Sequence, residues 1–310
     1  QPSGDGGAAD YSDLKIALLL SGSAKDGGWS QMAADAANAV ADQYGCMVNY
    51  SESLAATDFE TTIRGYAEAD YDIIVTHGAE FLDAAKLVAK DYQDITFVAT
   101  SAREGQEPNL AGIDFDTTQL GFLVGAACAM ATETKKIGAI GSNEVDSLVL
   151  WADAVEMGAK YIDPECEVLR VFTGSYDDAL KAKQAVDALY ERGCDTITQD
   201  ADACGNGAVQ ESADLDLYNV GCVTDQCSLG DTCFISILQD AQHGIEVAIG
   251  RAIEGTLGSG AVYLGANAGV ISLTEYSGKY ADLLTDEEKA TLQDLWQQTY
   301  DGVDLTTLVN

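Results

Sequence analysis

The residues of this chain best suited to hold a small molecule stand just past short apolar runs. LKIALLL at 14–20 is followed by Ser21, Gly22, Ser23, Lys25, Asp26, Trp29, Ser30 and Gln31. DIIVTHG at 72–78 leads to Glu80 and Phe81, and KIGAIG at 136–141 to Ser142, Asn143, Glu144 and, further along, Trp151. CDTITQ at 194–199 precedes Asp200, Asp202, Gly205 and Asn206, and LYNVGCV at 217–223 precedes Thr224, Asp225 and Gln226. An indole offers a flat face to a planar ligand, and carboxylates accept hydrogen bonds from hydroxyls or ring N–H groups. Trp29 has two readings, a packing residue at a helix start or a stacking plate. Asp26 likewise either complements a helix N-terminus or binds ligand hydroxyls.

Catalytic chemistry finds little support. The chain has two histidines, His77 and His243, and lacks the nucleophile elbow, the zinc-protease helix motif, the phosphate-binding loop and the dinucleotide fingerprint. Asp26 with Asp225 could act as an acid–base pair, but nothing else points that way. His77 reads as a strand-end structural residue. The expectation is a binding protein, without catalytic residues, metal or cofactor.

The elements that must position these groups alternate regularly. Strands are read at 14–20, in CMVNYSES, in DIIVTHG, in ITFVAT and in AGIDF, with helices at 29–44, 58–69 and 81–92 between them. After Thr117 the rhythm restarts with a helix at 119–132, KIGAIG, a helix at 148–161, EVLRVF, a helix at 178–190, CDTITQ, a short helix after Gly205, and LYNVGCV. The tail holds CFISIL, a helix at 240–253, AVYLG, GVISL, and helices near Tyr276 and at 286–300. Continuous apolar strands between helices predict parallel sheets covered on both faces. The fold class is therefore α/β, with two doubly wound parallel-sheet lobes joined by a multi-strand hinge. Residues 1–13 read as a flexible tether. The first lobe is expected to hold 14–116 plus 239–258, and the second 117–238 plus 259–310. In open sheets of this kind ligands bind beyond the C-terminal strand ends, so facing lobes would make a closable cleft.

Composition narrows the partners. The 310 residues are 47% hydrophobic, enough for two cores, and no apolar run approaches the ~18 residues of a membrane helix. With 51 acidic against 16 basic residues the formal net charge is −35, which excludes a nucleic-acid surface and disfavours anionic lipid. Eight cysteines suggest disulfides and an oxidising compartment. Cys227–Cys233 is the favoured local bridge, and Cys194–Cys222 a tie between neighbouring strands.

These residues also carry a resemblance. KDGGWSQMAADAANAV at 25–40 resembles the first helix of the basic-membrane-protein family, the purine-nucleoside receptors of ABC transporters, where Asp-x-Ser-Phe-Asn-Gln opens a helix. Asp26 and Gln31 hold the first and last places, Trp29 stands for the stacking phenylalanine, and Ser30 replaces the asparagine. The segment at 113–141 resembles the family's central stretch, CGNGAVQES its glycine-rich turn, GCVTDQ its Gly-Val-Asp-x-Asp-Gln, and LGANAGVISL its C-terminal strand pair. The resemblance runs from about Leu14 to the end. It implies a type I periplasmic-binding fold and a monomeric, lipid-anchored receptor at the cell surface or in the periplasm, serving an ABC permease. It further implies a purine nucleoside with its base in an aromatic sandwich and its ribose on Asp225. The ligand-contacting set is then Asp26, Trp29, Ser30, Gln31, Phe81, Trp151, Asn206 and Asp225. A sugar, a free base or another small polar metabolite is the alternative ligand, and a sensor on the same fold the alternative role. One departure stands out: the lysine usually found after the strand at 233–238 is replaced by QDAQHG, which puts Asp240 and His243 near its place.

Overall fold

The computed structural model describes residues 10–26 and 28–308. Most of the expected tether, residues 1–9, lies outside the described residues. Of its remainder, Tyr11 packs edge-on against Tyr44 with ring centroids 5.5 Å apart, while Asp10, Ser12 and Asp13 are exposed.

The chain begins with β1 (Lys15–Leu20), α1 (Trp29–Tyr44), β2 (Met47–Ser51), α2 (Phe59–Glu68), β3 (Ile73–His77), α3 (Leu82–Ala89), β4 (Thr96–Thr100) and β5 (Leu110–Asp114). It continues through α4 (Thr117–Ala131), β6 (Lys136–Gly141), α5 (Asp146–Ile162), β7 (Glu167–Phe172), α6 (Ala179–Glu191), β8 (Thr196–Asp200), α7 (Asp202–Asp214), β9 (Tyr218–Val223) and β10 (Cys233–Gln239). It ends with α8 (Ala241–Ile253), β11 (Gly260–Tyr263), β12 (Ile271–Leu273) and α9 (Asp286–Tyr300). Two compact units result. The first comprises the residues up to Phe115 plus Ala241–Leu264, and the second Asp116–Asp240 plus Gly265 onward.

Each unit is built on a six-stranded sheet. The first runs β11-β5-β4-β3-β1-β2 and is parallel throughout. The second runs β12-β10-β9-β8-β6-β7, with only β12 antiparallel. The apolar runs behave as sequence reasoning requires: Ile16 to Leu20 and Ile73 to Val75 are buried, each large side chain contributing about 1.5–3 kcal/mol. Both sheets reverse strand order beside their first strand, the arrangement that opens a crevice at the C-terminal edge of a doubly wound sheet.

Three expectations are corrected. The strand at 260–263, assigned in advance to the second lobe, pairs with β5 in the first sheet, so that unit extends to Leu264. No helix forms near Tyr276; residues 274–285 are turns and extended chain. The helix expected after Gly205 starts earlier, at Asp202, and is full length.

In the second unit α4 and α5 cross closely enough to need glycine. A Cβ on Gly125 would stand 1.9 Å from the Val155 carbonyl oxygen, and one on Gly158 1.9 Å from that of Phe122. This crossing presses α5 onto the core and takes Trp151 with it, leaving the indole fully buried.

Candidate ligand-binding site

At the C-terminal edge of the first sheet, the loop between β1 and α1 is held from several sides. Glu52, just past β2, accepts from the Ala24 N–H (2.6 Å) and the Ser23 hydroxyl (3.0 Å). Those bonds, the Ala24 N–H first, hold its carboxyl below its usual range. The Ser21 hydroxyl donates to Glu80 at 2.7 Å. Asp26 turns its carboxylate onto the start of α1, accepting from the backbone N–H groups of Gly28 (2.8 Å), Gln31 (3.1 Å) and Ser30 (3.3 Å). These donors, Gly28 foremost, keep it ionised below the ordinary carboxylate range. Asp26 therefore builds the helix entry while remaining exposed.

That helix entry presents Trp29, which is 43% exposed. Its indole stacks on the His77 imidazole with centroids 4.3 Å apart and planes 29° apart. His77 Nε2 lies 3.0 Å from the Trp29 carbonyl oxygen, and Nδ1 lies 2.8 Å from Thr100 Oγ1. A carbonyl can only accept, so Nε2 carries the proton and Nδ1 accepts from the Thr100 hydroxyl. The Gly78 N–H in turn donates to Thr100 Oγ1 at 3.3 Å. Burial pushes His77 down to about 4, so it is neutral near pH 7, with Nε2 spent on the Trp29 carbonyl and Nδ1 on Thr100. The sequence signalled only a strand-end histidine; the register Leu20↔His77 and His77↔Thr100 places it between the loop and β4.

Other members of the expected set lie elsewhere. Ser30 is buried behind the loop, where a Cβ on Gly22 would meet its Oγ at 2.5 Å. Gln31 is half-buried on α1. Phe81 is a correction: it is fully buried and stacked on Phe59 at 3.8 Å in the core of the first unit, out of reach of any ligand. Trp151 is a second correction, for the glycine-assisted crossing of α4 and α5 seals it inside the second unit.

The C-terminal edge of the second sheet offers a different chemistry. Asn206 is exposed on α7. Asp225 is exposed in the loop after β9, where Oδ1 accepts from the Cys227 N–H (3.1 Å) and, more weakly, from the Ser236 hydroxyl (3.4 Å). Ser142 and Asp200 follow β6 and end β8 at adjacent positions, in the register Gly141↔Asp200. The Ser142 hydroxyl is buried and makes no hydrogen bond among the described residues. Asp200 is half-buried, and burial, with Asp202 close by, pushes its carboxyl up to about 7. Sequence reasoning noted Asp200 at a strand end without including it in the contacting set. Its distinguishing feature, desolvation, arises only when α7 packs over the edge.

All eight cysteines are unbridged. The Cys194–Cys222 tie is corrected by the parallel register. Thr196 pairs with Tyr218 and Thr198 with Val220, which puts Cys194 and Cys222 at opposite ends of their strands, about 20 Å apart at ~3.3 Å per residue. A disulfide needs Cα atoms within roughly 7 Å. Cys227 and Cys233, in contrast, face each other as thiols.

Two doubly wound units, each with polar groups at its C-terminal sheet edge and an aromatic plate on the first, define a solute-binding protein of the periplasmic-binding type. Comparison with known proteins agrees. The family model described as ABC transporter substrate-binding protein PnrA-like matches residues 13–303, and the chain belongs to that family. Among curated relatives, the transcriptional activator protein med of Bacillus subtilis is 26% identical over 85% of this chain and 82% of its own length. The putative ABC transporter glucose-binding protein TsgA13 of Haloferax volcanii is 26% identical over 96% of this chain and 75% of its own. The ABC transporter nucleoside-binding protein BmpA of Lactococcus lactis is 29% identical over 54% of this chain and 47% of its own. Solved structures with the same fold include a transcriptional activator of the comK gene from Bacillus halodurans (TM-score 0.75, 24% identity, covering 92% of this chain and 97% of that one). An ABC transporter solute-binding protein from Conexibacter woesei also matches (TM-score 0.68, 23% identity, 96% and 100%).

Proposed function

We propose that this chain is the extracytoplasmic receptor of an ABC importer and that its cargo is a purine nucleoside, which it binds without turnover and hands to a permease. On the first unit Trp29 is the plate suited to a base; on the second, the exposed Asp225 carboxylate and Asn206 amide are groups suited to ribose hydroxyls. The observation that carries the reading is the exposed Trp29 ring, backed by a neutral His77 that is buried and bonded through both nitrogens. A structural tryptophan needs no such backing; a plate that must meet a planar ligand at a fixed angle does. The nucleoside-binding relative supports the cargo. In this reading the receptor works as a monomer held at the membrane by a lipid anchor. Among the described residues no helix is long and apolar enough to cross a membrane.

A sugar is the second reading, favoured by the glucose-binding name of a relative that aligns with 96% of this chain. Tryptophan faces and carboxylates suit pyranose rings as well. A thermal-shift screen of nucleosides, free bases and hexoses separates the two, because a ligand that binds only the native state raises the melting temperature. Nucleosides are expected to give the largest shift. Stabilisation by hexoses alone overturns the nucleoside assignment. Asp225→Ala then tests the ribose contact: it should weaken a nucleoside and spare the free base.

A further inference from the structure

The loop joining β9 to β10 contains a pair of thiols arranged for exchange. Cys227 Sγ lies 2.7 Å from Cys233 Sγ and 3.4 Å from Ser236 Oγ. Cys227 is partly exposed, whereas Cys233 is fully buried at the start of β10. The turn between them is closed by its own backbone, Leu229 N–H to the Gln226 carbonyl (2.9 Å) and Cys233 N–H to that of Gly230 (3.1 Å). The thiols are thus held together whether or not they are bonded.

We propose that Cys227 and Cys233 form a reversible dithiol–disulfide site whose co-substrate is the disulfide of a small thiol, with Cys227 as the entry thiol and Cys233 as the resolving thiol. Three observations fix the roles. Only Cys227 is open to an incoming disulfide. A hydrogen bond from the Cys233 thiol, then those from the Ser236 and Ser277 hydroxyls, pull Cys227 down from the usual thiol range against the effect of its burial. The same shared proton and deeper burial push Cys233 up. A buried, protonated partner beside a thiolate is the arrangement in which one sulfur attacks and the other resolves.

The chemistry balances. Cys227 thiolate attacks one sulfur of RSSR, forming the mixed disulfide and expelling RS⁻. That thiolate takes the Cys233 proton. Cys233 sulfur then attacks Cys227 sulfur, closes the internal disulfide and releases the second RS⁻, which takes up the proton that Cys227 had lost to solvent. Two protein thiols lose two electrons, and RSSR becomes two RSH.

The site reaches Asp225. Ser236 has one hydroxyl proton and two acceptors at 3.4 Å, Cys227 Sγ and Asp225 Oδ1. The Asp225 charge also opposes the thiolate. Coupling of this kind is reciprocal, so it can be read from the cysteine side. The ionisable groups that act on Cys227 are Cys233 and Asp225; the other contacts are the two serine hydroxyls.

The test uses the full chain in buffers of stepped oxidised-to-reduced glutathione ratio, with cysteine state mapped by alkylation and peptide mass spectrometry. The wild-type protein should convert Cys227 and Cys233 together, and Cys233→Ser should trap glutathione on Cys227. At pH 7 iodoacetamide should label Cys227 roughly tenfold faster than Cys46, whose burial raises it. Ser236→Ala should move the pH midpoint of Cys227 labelling up, and Asp225→Asn should move it down. The proposal is overturned if both thiols survive the most oxidising buffer, if Cys233 takes up glutathione in Cys227→Ser as readily as Cys227 does in the converse variant, or if both midpoints stay put. None of these readouts needs a bound solute, so they stand or fall apart from the nucleoside assignment.

Discussion

His77 links the fold of the first unit to its exposed aromatic plate, and its protonation gives a quantitative test of that link. In the native state burial holds it at about 4, against 6.5 when free. Between those values the unfolded chain binds a proton that the folded chain refuses, so stability falls as pH drops through this window and levels off below it. At 1.36 kcal/mol per pH unit the loss is about 3 kcal/mol. His77→Gln is the control, because its amide N–H can still donate to the Trp29 carbonyl and it does not titrate. Urea unfolding followed by circular dichroism from pH 7.5 to pH 4 measures both proteins, and their difference cancels every other titrating group. The wild-type stability should fall relative to the variant by about 3 kcal/mol, most of it between pH 6.5 and pH 4. Parallel profiles would show that His77 titrates normally in the folded chain, and the account of it as a neutral clamp would be wrong.

Other outcomes follow from the same geometry. Trp29→Ala should weaken a stacked base by about 1–3 kcal/mol in titration calorimetry and lower the melting temperature less than a core substitution does, since the residue is 43% exposed. Phe81→Ala should do the opposite: a loss of about 3–5 kcal/mol in unfolding free energy, because the cavity opens beneath Phe59. Asp200 is raised in the folded state, so its charge costs stability as pH climbs from about 4 to about 7. Asp200→Asn should therefore stabilise the chain by up to about 4 kcal/mol at pH 8 and leave it unchanged at pH 3.5, as read from denaturant midpoints. Finally, with a net charge of −35 and lysines and arginines such as Arg64, Lys135, Arg170 and Lys279 already in ion pairs, much of the acidic surface repels itself. Raising salt from about 0.05 M to about 1 M should raise the melting temperature, because screening shortens the reach of that repulsion from over 10 Å to about 3 Å. A melting temperature that falls with salt would contradict this.

The double α/β architecture was legible because its cause is local. A strand covered on both faces must be apolar throughout, and a helix lying on a sheet must be apolar on one side. Both patterns sit in consecutive residues, which is why α1 was expected at 29–44 and is found there. Sheet membership is not local. Gly260–Tyr263 is a four-residue strand at a sheet edge, and nothing in its composition says which of two sheets it will join. The choice is made by where α8 delivers the chain, and α8 packs on α1 in the first unit. Cysteine pairing fails for a related reason. Cys194 and Cys222 flank adjacent strands, but parallel strands start at the same end, so a residue before one and a residue at the end of the other are a strand length apart.

The site was legible by position and illegible by orientation. Strand ends identified the β1–α1 loop, the start of α7 and the loop after β9 as places where polar groups collect. They could not say which way a ring turns. Phe81 and Trp29 both stand at the helix entry that follows a strand, β3 and β1, yet one is stacked on Phe59 inside and the other on His77 with part of its ring exposed. The difference lies in what each meets. Phe81 faces an apolar layer of Phe59, Ile63 and Phe97 that rewards burial. Trp29 meets an imidazole that carries two hydrogen bonds and cannot be displaced without breaking both. Trp29 is therefore held against a fixed polar ring with its other side open. The stacking role proposed for Trp29 rests on that orientation, which only the packing of β3 and β4 around His77 sets and which no local motif encodes.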